Sequence, residues 1–248
     1  MDKLTNKVIL ITGAGKGKGR NIALAFASNG AIIAANDLTP INLDVTIEAI
    51  QASGGNCKGY VFDIAKRMPV MAMVNQIKDD WGRIDVLVNC ANIDPHSLIL
   101  GMDEWDWQRT IDVNLTGVFL LIQSVGSLMR DQGGGAIINV IPSEKSHEES
   151  GKNVASATCR TGLIGLTRAA AIDLAPYNIS VNAIYTGVID HECAGSISES
   201  ILKDKSTKGS LPKDWNNKAY DMVELVLLLC SDQASFISGQ VITKDGFF

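Results

Sequence analysis

The segment "TGAGKGKG" (12–19) decides the fold of this chain, because it follows the apolar run "KVILIT" (7–12) and opens a helical pattern (17–29). Glycines at a strand–helix turn let the backbone approach a pyrophosphate closely, and the N–H groups at the helix start favour an anion. The order Thr-Gly-x-x-x-Gly-x-Gly differs from the Gly-x-Gly-x-x-Gly of many dinucleotide-binding turns, and a purely structural tight turn is the alternative. The residues predicted to form a nucleotide-binding turn are Thr12, Gly13, Gly17 and Gly19.

Short apolar runs alternate with longer helical patterns along the whole chain. Several runs are apolar on successive residues, which is typical of strands covered on both faces. The alternation predicts a single-domain, Rossmann-type α/β fold over residues 1–248, with a doubly wound sheet of about seven parallel strands and helices on both faces. The predicted strands are 7–12, 31–36, 58–63, 84–89, 136–141, 179–184 and 239–243, and the predicted helices are 17–29, 41–53, 67–82, 104–131, 154–175 and 218–231.

Two polar segments interrupt this alternation, "PSEKSHEESGKN" (142–153) and a longer one at 191–217. Ligands of a doubly wound sheet bind beyond the carboxyl ends of its strands, where both segments fall. The first is therefore expected near the ligand site, and the second is expected to act as a lid. An ordinary surface insertion is the alternative for either segment.

Composition narrows the function classes. The 22 Lys and Arg against 27 Asp and Glu include no basic block, which argues against a nucleic-acid partner. Five scattered cysteines indicate small buried residues in a reducing compartment, with neither a metal site nor a disulfide framework. The chain starts directly in a strand pattern, and no apolar run approaches the roughly 18 residues of a membrane span. A cytoplasmic protein without a membrane segment is expected.

Asp37 lies eighteen residues after Gly19, at the end of the second strand pattern. An acidic side chain there can accept hydrogen bonds from an adenosine ribose and repels a 2′-phosphate, so it favours NAD over NADP. Lys16, Lys18 and Arg20 could argue for NADP, or they could be solvated residues of the turn.

Several such motifs occur in an order that resembles the short-chain dehydrogenase/reductase family, in particular its 3-oxoacyl reductase-like branch. The resemblance covers nearly the whole chain. It implies that Asp63 faces the adenine, that Asn89 belongs to the cofactor site, and that Asn114 is the active-site Asn. It also implies tetramers that use pairs of long helices and the C-terminal strand. The motifs are "TGAGKGKG" (12–19), "LVNCAN" (87–92), "DVNLTGVF" (112–119), "GGAIINV" (134–140), "TGLIGLTRAAAIDLAPYNISVNAI" (161–184) and "LLLCSDQASFISGQVITKDG" (227–246).

In that family a Tyr hydroxyl exchanges a proton with the substrate oxygen while hydride moves to or from nicotinamide. A Lys one helical turn later lowers the pKa of the Tyr, and a Ser at the preceding strand end binds the substrate. In "VASATCRTGLIG" (154–165), Ser156 stands at the Tyr position and Arg160 at the Lys position. Pro142 stands at the Ser position, with a serine beside it. The candidate catalytic positions are Asn114, Ser143, Ser156 and Arg160.

These replacements predict little turnover by the chain alone. An aliphatic hydroxyl is far less acidic than a phenol, and an arginine with a pKa above about 12 is a poor proton carrier. General acid–base help is typically worth roughly 10²–10⁴-fold. The plain alternative is that Ser156 and Arg160 belong to a capped, solvated helix start.

Other departures from the family pattern also fall at strand carboxyl ends. Asn92 replaces the Gly of the turn Asn-Asn-Ala-Gly, where its side chain would meet the cofactor. Thr186 replaces a Pro, and Asp190 or His191 stands where a Thr usually grips the nicotinamide amide. We interpret this distribution as a fold that was kept while constraint on its chemistry relaxed.

The leading hypothesis is a non-catalytic subunit that pairs with an active sister short-chain dehydrogenase, most simply as a heterotetramer. The family includes two-subunit hydroxyacyl-CoA dehydrogenases, as in anaerobic benzylsuccinate degradation, and this chain is similar in overall pattern to the inactive subunit.

The second hypothesis is an active NAD-dependent oxidoreductase of 3-hydroxyacyl or 3-oxoacyl substrates with a non-standard proton donor. A ligand-binding or sensor role is a third. Halohydrin dehalogenases also carry Arg at the Lys position, but they keep the Tyr and lose the glycine turn, the reverse of this chain. The residues weighed as replacement bases are Lys145, His147, Lys152 and His191.

Overall fold

The structure is a computed structural model, and it describes residues 4–142, 154–185 and 222–243. Its strands are β1 (Val8–Thr12), β2 (Ile32–Asp37), β3 (Asn56–Val61), β4 (Val86–Asn89), β5 (Gly135–Ile141), β6 (Ile179–Tyr185) and β7 (Val241–Thr243). They form one parallel seven-stranded sheet in the order β3-β2-β1-β4-β5-β6-β7. The predicted Rossmann-type fold class is confirmed. The strand order reverses between β1 and β4, which places the expected ligand crevice at their carboxyl ends.

Helices cover both faces of this sheet. Their bounds are α1 (Gly17–Ser28), α2 (Pro40–Ala52), α3 (Arg67–Trp81), α4 (Glu104–Ile111), α5 (Gly117–Gln132), α6 (Val154–Leu174) and α7 (Met222–Leu229). One apolar core joins the sheet to α3, α5 and α6, and the other joins it to α1, α2 and α7. Successive residues of β1 alternate between these two cores, which explains why every position of that strand is buried.

The single helix predicted over 104–131 is wrong in one respect. The structure has α4 and α5 joined by a π-helical turn, Asp112–Thr116. At the start of α5, an added Cβ on Gly117 would lie 3.0 Å from the carbonyl oxygen of Ile64, so the helix passes very close to the chain after β3. A π turn carries one extra residue per turn and often marks a functional site. Here it contains Asn114.

The continuous helical segment Glu104–Gln132 is long and apolar enough to cross a membrane by length and composition. Its most apolar stretch is 56% buried inside the protein, and α5 packs into the core between the sheet and α3. We therefore assign it as a core helix of the folded domain.

Candidate active site

The glycine turn between β1 and α1 is built by close backbone approach. Gly13 has a φ of 66°, and an added Cβ there would lie 2.8 Å from Cα of Ala91 in the turn after β4. An added Cβ on Gly19 would overlap the carbonyl oxygen of Gly13. Gly17 has a φ of 56° and nothing within 4 Å of the equivalent position, so its face is open. Two glycines thus close the turn, and the third leaves room beside the helix start.

Thr12 ties this turn to the end of β4. Its buried hydroxyl oxygen accepts hydrogen bonds from the backbone N–H groups of Cys90, at 3.1 Å, and Ala91, at 3.2 Å. The two strand ends that flank the crevice are therefore fixed relative to each other. The role of Thr12 here is therefore to hold the backbone that borders the crevice.

Asp37 lies beside the glycine turn, at the end of β2, as the sequence predicts. Its carboxylate accepts hydrogen bonds from the N–H groups of Gly15, at 2.9 Å, and Thr39, at 3.0 Å. A carboxylate has about four lone-pair sites, so two remain for a further donor such as a ribose hydroxyl. Asp37 both shapes the turn and presents acceptor capacity to the crevice.

Arg20 is not a simply solvated residue of the turn, and that alternative is wrong for it. Its guanidinium donates to the hydroxyl of Thr46 at 3.0 Å, to the carbonyl of Asn42 at 3.1 Å, and to the carbonyl of Gly15. These bonds fasten the glycine turn to α2. Its donors are thus directed at the protein itself. The side chains of the two neighbouring lysines of the turn are exposed.

Asn89 lies inside the sheet, only 3% exposed. Its amide donates to Asn139 Oδ1 at 2.8 Å, and Asn139 donates to the hydroxyl of Thr167 at 2.9 Å. This buried chain joins β4, β5 and α6. Asn89 Oδ1 has no hydrogen-bond partner among the described residues, and it is the atom left for a further donor at this end of β4. A cofactor contact by Asn89 stays a prediction.

Asp63 follows β3 and is held by two contacts. Its carboxylate accepts the N–H of Ala65 at 3.0 Å and pairs with Arg109 of α4 at 3.3 Å, with both charged side chains about a quarter exposed (21% and 25%). The ion pair links β3 to the helix that leads into the π turn. The adenine contact implied for Asp63 stays a prediction.

Asn114 clamps the chain that follows β4. Its amide donates to the carbonyl of Ile93 at 2.7 Å, and its Oδ1 accepts the N–H of Ile93 at 2.9 Å. The side chain is 4% exposed. The π turn thus serves to aim this amide at the backbone next to Asp94.

Ser156 and Arg160 are buried, with 3% and 7% of their surface exposed, so the alternative of a solvated helix start is wrong. The hydroxyl of Ser156 donates to Oδ1 of Asp94, a half-buried residue in the segment after β4. Arg160 follows one helical turn later on α6. The residues at the family's Tyr and Asn positions are therefore brought together through the segment Ile93–Asp94. Sequence reasoning missed Asp94, whose signal was an acidic residue two positions after Asn92.

The described cysteines are free thiols: Cys57, Cys90, Cys159 and Cys230. Burial raises the pKa of Cys57 to about 12 and that of Cys159 to about 11. These two thiols stay protonated at neutral pH and behave as small apolar residues. Within residues 4–142, 154–185 and 222–243, no cluster of His, Cys, Asp and Glu could hold a metal ion.

A family model described as enoyl-(acyl carrier protein) reductase matches residues 13–246 of this chain. The chain belongs to the short-chain dehydrogenase/reductase family. This confirms the resemblance seen in the motifs.

Named enzymes are among the relatives of this chain. The chain is 35% identical to the 3-oxoacyl-[acyl-carrier-protein] reductase of Thermotoga maritima, with 98% of each chain covered. It is 32% identical to subunit BbsD of the (2S)-[(R)-hydroxy(phenyl)methyl]succinyl-CoA dehydrogenase of Thauera aromatica, covering 96% of this chain and 95% of that one. Among solved structures, NAD⁺-bound xylitol dehydrogenase superposes with a TM-score of 0.78 at 27% identity, covering 97% and 98%.

Several positions of this short-chain dehydrogenase/reductase that the sequence singled out lie outside the described residues. Pro142 is described and follows β5 directly, while Asn92 is described and exposed. The positions outside are Ser143, Lys145, His147, Lys152, Thr186, Asp190, His191 and the lid segment 191–217.

Proposed function

We propose that this chain is a catalytically degenerate short-chain dehydrogenase/reductase, a pseudoenzyme that works as the non-catalytic subunit of a hetero-oligomeric, NAD-dependent hydroxyacyl thioester dehydrogenase. The observation that carries the proposal is the hydrogen bond from the buried Ser156 to the half-buried Asp94 at the position of the family's proton donor. The substrate class comes from relatives whose names are 3-oxoacyl-[acyl-carrier-protein] reductase and a substituted succinyl-CoA dehydrogenase.

The chemistry of the site supports low intrinsic turnover. The hydroxyl group of Ser156 carries one proton, and that proton is directed at the carboxylate of Asp94 rather than at a substrate oxygen. A phenol has an unperturbed pKa near 10 and can be brought into working range by a nearby cation, whereas an aliphatic hydroxyl cannot. We expect losses of roughly 10²–10⁴-fold from the missing acid–base group alone.

The residues around the glycine turn fit the adenosine and pyrophosphate of NAD. Gly17 leaves an open face, and α1 begins without a side-chain cap or an acidic residue in its first turn, so its N–H groups can receive a phosphate. Asp37 keeps acceptor capacity for a ribose. When bound, NAD would supply a hydride acceptor, or a donor in its reduced form, and Gly17 and Asp37 would hold its adenosine end.

Asp37 is expected to set the choice between NAD and NADP. In calorimetric titrations the unmodified protein should bind NAD more tightly than NADP, because the carboxylate repels a 2′-phosphate. Asp37→Asn removes the charge and keeps one oxygen that can accept from Gly15, at the expense of the bond from Thr39, and we expect the affinity ratio to fall at least about tenfold, equivalent to about 1.4 kcal/mol. Asp44→Asn, on the exposed face of α2, removes the same charge as a control and should leave the ratio unchanged. Equal affinity of the unmodified protein for both cofactors would contradict this assignment.

An apolar face on the outside of α5 and α6 supports a protein partner. Phe119 is 44% exposed, Ile172 is 75% exposed and Tyr177 just after α6 is 43% exposed. Between these two helices lies a cleft of about 290 Å³. Exposed apolar patches of this kind commonly mark protein interfaces. Free buried thiols are consistent with a complex in the cytoplasm.

The test of the proposed function compares the chain alone with the chain co-expressed with a homologue from its genomic neighbourhood that keeps Tyr-x-x-x-Lys. Alone, it should not change NADH absorbance with 3-oxoacyl thioesters. Together, the two chains should co-purify and turn over substrate. Phe119→Arg should prevent co-purification, while Met68→Arg, at a 73% exposed apolar position of α3, should not. Robust turnover by the purified chain alone would refute the proposal.

An active oxidoreductase with a non-standard proton donor is the second candidate, and one observation favours it. Asp94 places a carboxylate against Ser156, and such a pair could take up a proton from an alcohol. In that case the purified chain alone would turn over, and Asp94→Asn would abolish the activity.

A further inference from the structure

We propose that Asp94 is the residue that keeps this site closed to a carbonyl oxygen: it holds Ser156 and sets a negative charge where the family presents a proton donor. The inference rests on the proposed non-catalytic function and names the contact that maintains it. Asp94 is thus a positioning residue. Restoring the family's Tyr at position 156 and its Lys at position 160 would not by itself restore a working proton donor.

Asp94 is held from the chain that precedes it. The N–H groups of Cys90 and Ala91 are bound by Thr12, and both backbone polar groups of Ile93 are bound by Asn114. The carboxylate is therefore attached to a segment that is fixed just before it. This anchoring explains how Asp94, a residue of the loop after β4, reaches the buried start of α6.

The contact changes the polarity of the site. An ionised carboxylate only accepts hydrogen bonds, and Ser156 uses its one proton to satisfy it. A carbonyl oxygen, which is also an acceptor, would find a negative charge and no free proton from this pair. A phenol introduced at the same position would meet the same carboxylate, which favours the neutral phenol and so raises its pKa away from working range.

The test introduces Ser156→Tyr and Arg160→Lys together, with and without Asp94→Asn. The ionisation of the new phenol is followed by its ultraviolet absorbance against the parent protein. We expect the pKa of that phenol to fall by at least about one unit when Asp94→Asn is added. Reduction of a 3-oxoacyl thioester by NADH should rise at least about tenfold with the same change. Charged groups on the elements that pack against α6 stay constant in this comparison, which isolates Asp94: they are Glu104, Asp106 and Arg109 of α4, Asp112 of the π turn, and Arg130 and Asp131 of α5.

A stability cycle covers the case in which the tyrosine variants do not fold. Asp94→Ala, Ser156→Ala and the double variant are melted beside the unmodified protein. Because the two side chains form one contact, the double variant should melt within about 1 °C of the less stable single variant. An additive loss in the double variant, or a phenol pKa that ignores Asp94→Asn, would overturn the inference.

The two proposals fail separately. The proposed function fails if the unmodified chain turns over alone, whatever Asp94 does to an introduced phenol. The role of Asp94 fails on the phenol pKa or on the stability cycle, and neither measurement depends on a partner chain.

Discussion

Gly19→Ala is expected to lower the free energy of unfolding by at least about 2 kcal/mol and to abolish measurable dinucleotide binding. The added Cβ would overlap the carbonyl oxygen of Gly13, which is backbone and cannot rotate away. The start of α1 would have to move outward, and the N–H groups that face the crevice would move with it. In a chain of this size such a loss lowers the melting temperature by about 4–8 °C.

Gly165→Ala is the matched control for that experiment. Gly165 lies on an exposed part of α6, and nothing lies within 4 Å of an added Cβ. Alanine should therefore stabilise the helix by about 0.5–1 kcal/mol and leave dinucleotide binding unchanged. Thermal denaturation and calorimetry check both variants. Equal melting temperatures for Gly19→Ala and the unmodified protein would contradict the close approach.

The sheet could be predicted because its signal is local. The first four residues of β1 are apolar and Thr12 ends the strand. Both faces of the strand are covered, so its composition agrees with its environment. The glycine turn was also predictable, because left-handed backbone at Gly13 and Gly17 is a requirement that few other residues meet. Local rules that agree with the fold can be recovered from sequence alone.

The π turn could not be predicted, since the apolar pattern continues across it without a break. Its extra residue is fixed by tertiary contacts, namely those of Asn114 with Ile93 and of Gly117 with the carbonyl of Ile64. Such contacts override the local helical preference and leave no periodic signal.

The contact between Asp94 and Ser156 was missed for a related reason. The two residues are 62 positions apart, and the contact depends on the path of the chain after β4. The pair of Asp63 and Arg109, 46 positions apart, was missed in the same way. Family motifs predicted which positions gather at the crevice, but the bonds among them follow from packing that no motif records.

Asn114→Ala should be among the most damaging single substitutions in the described chain. The amide is buried and makes two hydrogen bonds to the backbone of Ile93, so its removal leaves the partly buried N–H and carbonyl of Ile93 without that partner. We expect a loss of about 2–4 kcal/mol in the free energy of unfolding, because each of these two partly buried groups costs about 1–2 kcal/mol when it is left unsatisfied. As a control, Asn29→Ala removes one hydrogen bond that a side-chain amide donates at a half-buried helix end. It should lower the free energy of unfolding by less than about 1 kcal/mol.

In Asn114→Asp, the loss of stability at this position is expected to depend on pH. The new carboxyl keeps an acceptor for the N–H of Ile93, but when ionised it faces the carbonyl of that residue. Burial and this carbonyl raise its pKa in the folded protein above the unfolded value of about 3.9. The stabilising contribution of the protonated form is therefore present below about pH 3.9 and is lost as pH rises through the folded pKa. Relative to the unmodified protein, Asn114→Asp should be less destabilised at pH 4 than at pH 7, while the deficit of Asn114→Ala should stay constant. If the loss of unfolding free energy in Asn114→Asp does not change with pH, then this side chain does not donate to Ile93. The proposal that Asn114 fixes the segment from which Asp94 reaches Ser156 would then be contradicted.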